Sequence, residues 1–464
     1  MVKSMRVINT VPRIVVSSYK GKVGKTTVTL ALTTALIRAG YRVSMFKVGP
    51  DFIDPSYHSA ITGKPSRNLD YVLMGDKVKL RFHKYSINSD IAVIEGVSGL
   101  YDSVDGVTEI GSTAQMAKIL KAPVILVING ERINRTVRAI IRGLRVFDPE
   151  VKIMGVIITN TTPRQIDKLR KAVEDEGLMF VGYVPRTDEL ESLMQYRHLG
   201  LVHAQERDRY EIMSIINEVS QNIDIDKLME IAKESEPIEF NEETEGYENK
   251  IGIDRKVRIG ILTGRAFTFY YPEVIERAQG VGEVKFLNPE VDQEIGEVDL
   301  VLIGGGFPEI YGEALEKNRA FKHELRRFIE KGGYLYAECG GLMYLTNSIV
   351  YNNEEYEMVG VIDATTIMHR RPVWYGYAKA RIINNSLIGD KGTVLLGHEF
   401  HYSSLILHGK YDFAIKYERG AGINGVDGFS INNAYAHYLH IHPETYDVLG
   451  RIVGKLVNDH ERIN

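Results

Sequence analysis

The sequence predicts a chain of two α/β domains. Short runs rich in β-branched residues recur from Arg13 to Pro185, and segments of helical length separate most of them. These runs are apolar at nearly every position rather than at alternate positions, which is typical of strands in a parallel sheet that helices cover on both faces. A second series of runs begins near residue 257, after a polar segment, and 464 residues exceed one ordinary core.

The first series predicts a doubly wound, mostly parallel sheet. Its strands alternate with helical segments, as repeated strand-helix-strand units require. In such a sheet the loops that follow the carboxyl ends of the strands bind the ligand, so we expect a site there. The predicted strands are Arg13–Ser18, Val43–Val48, Asp90–Val97, Pro123–Asn129, Lys152–Asn160 and Met179–Pro185.

A polar segment separates the two series. Residues 236–256 are rich in Glu and Asn and poor in apolar side chains, which predicts a solvated linker between domains 1–235 and 257–464. The second domain has a helical pattern at Ala320–Lys331. Its predicted strands are Val257–Thr263, Val298–Ile303, Tyr334–Ala337, Thr393–Leu396 and Ala434–His440.

Composition favours an enzyme acting on a small molecule. The 57 basic and 61 acidic side chains leave a formal charge of −4, so no general field attracts nucleic acid or anionic lipid. A single cysteine excludes an internal disulfide framework and a zinc cluster of several thiolates, and it fits a reducing, cytoplasmic compartment. The sequence has no apolar run of about 18 residues and no signal-peptide pattern at its start, so we expect neither membrane insertion nor export.

The first strand leads into a phosphate-binding loop. Residues 17–27 read Ser-Ser-Tyr-Lys-Gly-Lys-Val-Gly-Lys-Thr-Thr, and an apolar helix follows. Amides of such a loop surround phosphate, while Lys25 reaches the β and γ phosphates. Tyr19 replaces the first glycine of the common pattern, so the loop is similar to the variant of the MinD and nitrogenase iron protein group, with Lys20 as the additional lysine. The predicted ATP-binding residues are Lys20, Gly21, Gly24, Lys25, Thr26 and Thr27.

Two carboxylates at the ends of predicted strands of the same sheet suggest a magnesium site. Asp51 follows the strand Val43–Val48, and Glu95 closes the run that begins at Asp90. Magnesium bound to a triphosphate needs one or two protein carboxylates and a hydroxyl, which Asp51, Glu95 and Thr26 supply. Each acid alone is as readily explained as the cap of a turn. Together with the phosphate loop, they predict Mg²⁺ binding.

Cys339 is a candidate nucleophile. It lies in Tyr-Leu-Tyr-Ala-Glu-Cys-Gly-Gly, where a strand turns sharply into a helix and glycines permit the tight turn. Attack on an amide also requires donors for the oxyanion, which we assign to the amides of Gly305, Gly306 and Gly340. The alternative is that Cys339 is only a small buried apolar residue.

A thiol nucleophile requires a base, and two histidines near the end of the chain qualify. His440 and His442 lie at strand spacing on one face. The His442-Pro443-Glu444 sequence has the spacing that would complete a Cys-His-Glu triad with Glu444. The sequence leaves the choice between His440 and His442 open.

Two further patterns have less direct interpretations. His398 and His401 are spaced one residue too closely for the helical zinc motif, so a packed, hydrogen-bonded cluster is favoured over metal. A stripe of arginines occupies one face of a predicted helix, which fits a solvated face, a subunit contact or a carboxylate site, and least well nucleic acid. The stripe comprises Arg132, Arg135, Arg138, Arg142 and Arg145.

The ordered motifs resemble the glutamine-dependent cobyrinic acid a,c-diamide synthase family along nearly the whole chain. The resemblance implies a dethiobiotin-synthetase-like domain with a phosphate loop and a mostly parallel sheet, followed by a class I glutamine amidotransferase α/β domain. Besides the phosphate loop, the matching segments are 47–55 with His58, Asn68–Asp70, Glu95–Asp102, Ala266–Tyr271, Gly304–Glu309, Glu338–Leu342, Gly397–Ser403 and Tyr438–His442.

The resemblance implies that Cys339 hydrolyses glutamine and that the ammonia reaches the ATP site internally. There a tetrapyrrole carboxylate is converted to an acyl phosphate and then to an amide, with Mg²⁺ as cofactor, and two side chains react in turn. Asp54, Asp70 and Asp102 occupy positions of the family's substrate site. A homodimer is the expected assembly. The nickel-sirohydrochlorin a,c-diamide synthases of coenzyme F430 biosynthesis share these motifs, and a MinD-like regulatory ATPase is the alternative of a different class.

Overall fold

A computed structural model describes residues 5–194, 196–197, 200–242 and 257–463. The chain divides into two compact units, Met1–Glu245 and Gly246–Asn464. The predicted domain boundaries at residues 235 and 257 remain predictions. Among the described residues, no helix combines the length and the apolar character that crossing a membrane requires.

The first unit alternates strands and helices. Its strands are β1 Met5–Asn9, β2 Arg13–Ser18, β3 Val43–Val48, β4 Arg67–Leu69, β5 Ile91–Glu95, β6 Val124–Asn129, β7 Ile153–Thr161, β8 Met179–Pro185, β9 Tyr196–Arg197, β10 Gly200–Leu201 and β11 Ile238–Glu242. Its helices are α1 Lys25–Arg38, α2 Asp54–Thr62, α3 Tyr71–Met74, α4 Lys77–Ser86, α5 Thr113–Ile119, α6 Thr136–Phe147, α7 Pro163–Glu174, α8 Asp188–Leu193, α9 Arg209–Ser220 and α10 Ile225–Lys233, with a 3₁₀ turn at Ala204–Glu206.

A seven-stranded sheet of order β4-β3-β5-β2-β6-β7-β8 forms the centre of this unit. All neighbouring strands in it are parallel. Strands β2 and β5 are buried at every position, as the consecutive apolar residues at their centres predict for a sheet covered on both faces. The carboxyl ends of β2, β3 and β5 therefore lie side by side at one edge, which is where the phosphate loop and both predicted metal carboxylates follow.

Part of the predicted linker forms structure instead. Residues 238–242 make β11, which pairs antiparallel with β1. Ile238 is buried, and the ring of Phe240 contacts His83 at 5.4 Å between centroids. Two apolar side chains at alternate positions are enough to fix a short strand among Glu and Asn residues. The rest of the predicted linker, 243–256, lies outside the described residues.

The second unit contains more strand than the sequence predicts. Its strands are β12 Val257–Leu262, β13 Gly282–Leu287, β14 Leu300–Ile303, β15 Tyr334–Glu338, β16 Thr346–Tyr351, β17 Glu354–Glu357, β18 Ile362–Met368, β19 Trp374–Ile382, β20 Val394–His401, β21 Ser403–Leu407, β22 Ile415–Arg419, β23 Val426–Asp427, β24 Phe429–Ile431 and β25 Ala434–His437. Its helices are α11 Pro272–Val281, α12 Gly312–Lys317, α13 Arg319–Glu330, α14 Gly340–Leu345 and α15 Val448–Ile463.

A six-stranded sheet of order β13-β12-β14-β15-β25-β24 forms its centre, and β24 is antiparallel to β25. Two four-stranded sheets, β17-β16-β18-β21 and β20-β19-β22-β23, accompany it. The predicted strand Thr393–Leu396 is part of β20 and so belongs to one of these additional sheets, and the predicted strand Ala434–His440 ends at His437. Strands such as β19 alternate buried and exposed positions, so they lack the unbroken apolar runs used to find the central strands.

Strand β15 contributes to two apolar cores. Leu335, Ala337 and Cys339 belong to one cluster of buried residues. Tyr334 and Tyr336 belong to the other. Successive side chains of a strand point to opposite faces, so the cluster of Cys339 and the cluster of Tyr336 cover the two faces of the central sheet. The end of β15 can therefore connect a nucleophile on one face with groups on the other.

Candidate active sites

The phosphate loop has the backbone that its sequence predicts. It connects β2 to α1, and Gly24 at the start of the helix has φ 90°. A side chain at Gly24 would also lie about 3.1 Å from Thr159, so glycine is required by both conformation and space. Lys20 and Gly21 are exposed, whereas Lys25 and Thr27 are buried. The loop thus presents its amides to solvent while its helix is anchored in the core.

Lys25 is directed into the site. Its ammonium donates to the carbonyl of Ser98 at 2.5 Å and to the hydroxyl of Ser18 at 3.2 Å. Burial and the nearby charge of Lys47 lower the pKa of Lys25 to about 8, although Glu95, Asp54 and Asp102 oppose this. Because burial disfavours the protonated form of Lys25, an anion that binds beside it, such as a phosphate, stabilises that form.

Lys47 lies among three carboxylates. Its ammonium is 2.5 Å from Asp54, 3.2 Å from Glu95 and 3.8 Å from Asp51. Burial raises the pKa of Asp54 and so does Asp51, while Lys47 opposes both effects. The sequence motifs alone predict no role for Lys47. Its signal was present, because a lone lysine in the otherwise apolar end of β3 must have anionic partners.

Glu95 is divided between two sets of partners. One carboxylate oxygen accepts from Thr26 at 2.7 Å and faces Lys47, and the other lies 2.6 Å from Nε2 of His58. Burial alone would raise the pKa of this fully buried acid, but Lys47, His58 and Thr26 outweigh burial and lower it. Glu95 is therefore ionised, and its partners fix its orientation.

Thr26, Glu95 and Asp51 offer the hard oxygen donors that magnesium prefers. Thr26 and Glu95 already touch. Asp51 uses one oxygen to cap the turn before α2, accepting from the amides of Ile53 and Asp54, and its other oxygen faces Lys47. The described residues contain no group of three or more His, Cys, Asp or Glu arranged to hold a metal by themselves. A magnesium ion that shares its coordination with phosphate needs fewer protein ligands, so this donor set fits it.

The predicted substrate acids are in different surroundings. Asp54 is paired with Lys47, as described above. Asp70 is buried and caps α3 by accepting from the amide of Leu73 at 3.0 Å. Asp102 is exposed and accepts from the amide of Gly99 at 2.6 Å. Of the three, Asp102 is the acid most accessible to a ligand.

Cys339 occupies a strained turn between β15 and α14. Its backbone has φ 48° and ψ −102°, a conformation that side chains rarely adopt. The amide of Cys339 donates to the carbonyl of His437 at 2.8 Å, and the residue is 4% exposed. A sharp turn of this kind between a strand and a helix presents a nucleophile at the tip of the sheet.

His440 is the histidine that contacts the thiol. It forms a hydrogen bond with Cys339, and its Nδ1 lies 3.2 Å from a carboxylate oxygen of Glu338. Burial lowers the pKa of His440, but Cys339 and Glu338 outweigh burial and raise it to about 10. Burial also acts to raise the pKa of Glu338, and the hydrogen bond and charge of His440 overcome it, so that the pKa falls below its usual value. The three residues form a Cys-His-Glu set.

Glu338, rather than Glu444, completes this set. The carboxylate of Glu444 lies 3.3 Å from Arg277, and its amide donates to Nδ1 of His442 at 3.0 Å. His442 is fully buried, packs against the ring of Tyr271 at 4.3 Å and faces Glu273 at 3.7 Å. The structure thus gives His440 a carboxylate partner, Glu338, that differs from the Glu444 predicted from local spacing. The available signal was a glutamate inside an apolar strand, immediately before the nucleophile.

The three glycines predicted for the oxyanion hole surround this set. A methyl group added at Gly305 would lie 2.6 Å from the ring of His440. One added at Gly340 would lie 3.0 Å from the amide nitrogen of Gly306. The loop after β14 therefore packs against both the base and the turn that carries Cys339. Its close approach depends on the absence of side chains.

The segment containing His398 and His401 is strand β20, not a helix. His398 stacks on His440 with 4.9 Å between ring centroids, and His401 stacks on Tyr438 at 4.0 Å. Glu399 is buried and accepts from the amides of Ala421 and Gly422. These contacts form a packed, hydrogen-bonded cluster, as the spacing of His398 and His401 predicts.

The structure places three of the five arginines of the stripe on α6, because the helix begins at Thr136 and Arg132 and Arg135 precede it. The three on the helix contact residues 175 and 176. The guanidinium groups of Arg138 and Arg142 pair with the carboxylate of Glu176, and Arg145 donates to the carbonyl of the same residue at 2.8 Å. Arg138 also lies 3.3 Å from Asp175. The paired residues of α6 fit the solvated-face interpretation.

Comparison with known proteins relates both units to described families. Residues 14–199 match the CobQ/CobB/MinD/ParA nucleotide binding domain. Residues 258–447 match the CobB/CobQ-like glutamine amidotransferase domain. The chain is 43% identical over 440 residues to a cobyrinate a,c-diamide synthase of Archaeoglobus fulgidus, covering 93% of this chain and 94% of that one. Proteins of the same name from Methanosarcina barkeri and Listeria innocua are 37% and 38% identical, covering 96% and 93% of this chain and 96% of each relative.

Proposed function

The chain belongs to the cobyrinate a,c-diamide synthase family, and we propose that it amidates the a and c side-chain carboxylates of cobyrinic acid, with glutamine as nitrogen donor and ATP as the activating nucleotide. It is a glutamine-dependent amide-forming ligase. The observation that carries the proposal is the presence in one chain of a Cys-His-Glu set and of a phosphate loop beside strand-end carboxylates.

Glutamine hydrolysis follows from the geometry around Cys339. Burial lowers the pKa of His440, but its contacts with Cys339 and Glu338 raise it to about 10, so the imidazole is a suitable base to take the thiol proton and to stabilise the resulting thiolate. The thiolate attacks the side-chain carbonyl of glutamine, and the amides of Gly305, Gly306 and Gly340 are the proposed donors to the oxyanion. His440 then gives its proton to the leaving nitrogen, so ammonia departs and a thioester remains. Water, deprotonated by His440, releases glutamate.

Amide formation belongs to the nucleotide unit. The loop amides, Lys20 and Lys25 neutralise the triphosphate, and a carboxylate of the tetrapyrrole attacks the γ-phosphorus, so that ADP leaves and an acyl phosphate forms. Ammonia adds to the acyl carbon and inorganic phosphate departs, which leaves the amide. Thr26, Asp51 and Glu95 would hold Mg²⁺, which supplies charge neutralisation at the phosphates. The sequence of steps occurs once for each carboxylate.

Asp102 is the proposed contact to the partly amidated intermediate. It is exposed, and its carboxylate is held at the tip of the 96–102 loop by the amide of Gly99. The carbonyl of Ser98 in the same loop binds Lys25, so the substrate-facing loop and the phosphate-binding lysine are directly connected. Asp54 and Asp70 support the site through Lys47 and α3.

Mass spectrometry of the products tests the substrate assignment. The protein is incubated with ATP, magnesium and glutamine, together with either cobyrinic acid or nickel-sirohydrochlorin. We expect two hydroxyl-to-amino replacements on cobyrinic acid, dependent on ATP and on glutamine or ammonium. Double amidation of nickel-sirohydrochlorin alone would assign the protein to coenzyme F430 biosynthesis instead. ATP hydrolysis without amidation of either compound would favour the MinD-like alternative.

A further inference from the structure

A hydrogen-bonded chain continues from Glu338 away from the thiol. The hydroxyl of Tyr336 donates to the glutamate oxygen that does not face His440, at 2.7 Å. The same hydroxyl lies 2.8 Å from Nε2 of His437. Tyr336 lies two residues before Glu338 on β15, so both side chains are on the same face of the strand. His437 is the residue of β25 that pairs with Glu338. The two residues reach Glu338 from the face of the sheet opposite the cluster that contains Cys339.

The protons in this chain can be assigned. Glu338 is ionised, because His440, His437 and Tyr336 together overcome its burial and lower its pKa. An ionised carboxylate only accepts, so Tyr336 must give its single proton to Glu338. The oxygen of Tyr336 must then accept from His437, which therefore carries its proton on Nε2. Burial lowers the pKa of His437 to about 4, so the ring is neutral, and within the described residues its Nδ1 has no hydrogen-bond partner.

We propose that Tyr336 and His437 are positioning residues for glutamine hydrolysis, which fix the carboxylate of Glu338 so that it orients and charges His440. The proposal rests on the glutamine-hydrolysing role of Cys339 argued above. Neither residue touches the reacting atoms. Their effect passes through one oxygen of Glu338 to the other, and from there to Nδ1 of His440.

The hydrogen bonds to Glu338 fix the orientation of the carboxylate that lies beside His440. A carboxylate with a free oxygen can rotate about its terminal torsion, which has a broad preference. The hydrogen bond from Tyr336 and the amide of Ile441, 3.3 Å from the same oxygen, remove that freedom. The other ionisable groups that face the chain are Tyr435, Tyr446, Arg277, Asp447, Glu399 and His398.

The test compares Tyr336→Phe with Tyr435→Phe. Tyr435 lies 6.4 Å from Tyr336 in a parallel ring stack and is fully buried, and its hydroxyl has no hydrogen-bond partner among the described residues. Both variants remove one buried hydroxyl, but only the first opens the chain. Because the protein has one cysteine, the rate of alkylation by iodoacetamide as a function of pH reports on Cys339 alone.

We expect Tyr336→Phe to move the midpoint of the alkylation profile upward by about one pH unit, since a hydrogen bond to a charged group is worth roughly a tenfold change in an equilibrium. Glutaminase kcat should fall about tenfold with KM for glutamine unchanged, because Tyr336 contacts no substrate. Ammonium-dependent amidation should stay at the wild-type rate. Tyr435→Phe should leave the alkylation profile unchanged.

Equal profiles for the two variants would overturn the proposal. If Tyr336→Phe does not fold, His437→Leu and His437→Gln provide the second comparison, since glutamine keeps a donor near Nε2 and leucine does not. We then expect the midpoint of the alkylation profile to move to higher pH only in His437→Leu. The same midpoint in both His437 variants would refute the positioning role. Alkylation requires no tetrapyrrole, so an error in the substrate assignment alone would leave these results intact.

Discussion

The thiol site and the nucleotide site differ in what completes them. Around Cys339 each charged group finds its counter-charge within the chain, as His440 lies between the thiol and Glu338. In the nucleotide unit, Lys25 is held by neutral oxygens, and Lys20 is exposed on the loop. The first site is organised before its substrate arrives, and the second is built for the charge of a triphosphate.

The pKa values of His440 and Lys25 are shifted in opposite directions in the two sites. Burial lowers the pKa of His440, but Cys339 and Glu338 raise it to about 10. Lys25 is lowered to about 8 because burial and Lys47 act on it. Catalysis that depends on preorganised charge is already possible in the first site. In the second, a bound phosphate would supply negative charge next to Lys25 and so favour its protonated form.

The largest predicted effect is a loss of amidation with either nitrogen donor while glutamine hydrolysis is retained. Lys25→Ala removes the cation that neutralises the phosphates, so amidation should fall by about 10³-fold or more with glutamine and with ammonium alike. Glutaminase activity measured without tetrapyrrole should remain within a few-fold of wild type. Product formation with each donor measures this, and Lys171→Ala, an exposed change on α7, is the control. Loss with glutamine only would contradict the separation.

His440→Ala should lower the glutaminase rate by about 10²–10⁴-fold, because one side chain serves both as the general base and as the cation beside the thiolate. His442→Ala should cost much less, since His442 packs against Tyr271 and Glu273 rather than the thiol. Steady-state glutamate release from both variants decides between them. A larger loss for His442→Ala would mean that the wrong histidine has been assigned as base.

Glu338→Gln should lower glutaminase kcat by about 10- to 100-fold, the value of a hydrogen bond to a charged group. Glu444→Gln should change it by less than about threefold, because a partly exposed pair with Arg277 contributes little. The same assay serves both variants. Equal losses would restore the Cys-His-Glu triad predicted from the His442-Pro443-Glu444 spacing.

The smallest effect is a pH dependence of nucleotide binding. A lysine with its pKa lowered to about 8 loses its proton above that pH, so ATP affinity should weaken by up to about tenfold between pH 7 and pH 9. The same shift affects stability. Between about pH 8 and 10.5 the lysine is protonated in the unfolded chain but not in the folded one, so its contribution to the free energy of unfolding of the nucleotide-free protein rises with pH over this range. Fluorescent-nucleotide titration tests the affinity. Lys25→Arg should bind with little pH dependence, and a similar decline in that variant would exclude Lys25 as the titrating group.

The sequence predicted the sites better where local spacing determines geometry. The phosphate loop and the Cys339 turn are each built from consecutive residues, so their conformations follow from glycine placement between a strand and a helix. Strands β3 and β8 are found at the predicted bounds, because most positions in each run are apolar. Most strands of the additional sheets were not predicted, because buried positions alternate with partly or fully exposed ones along strands such as β19.

Partners contributed by a separate strand were harder to predict. Glu338 and His440 are 102 positions apart, and only the pairing of β15 with β25 brings them together. The spacing of Glu444 suggests a local triad with His442, whereas the carboxylate that lies beside His440 in the structure is that of Glu338. Likewise, Lys47 acquires its role from Glu95 on the adjacent strand β5, a contact that spacing along the chain cannot reveal.

The division of labour between the two units is tested most directly by Cys339→Ala, assayed for tetrapyrrole amidation with glutamine and with ammonium. We expect glutamine-dependent amidation to fall to background and ammonium-dependent amidation to proceed at the wild-type rate. Equal loss with both donors, or retained glutamine use, would contradict the account.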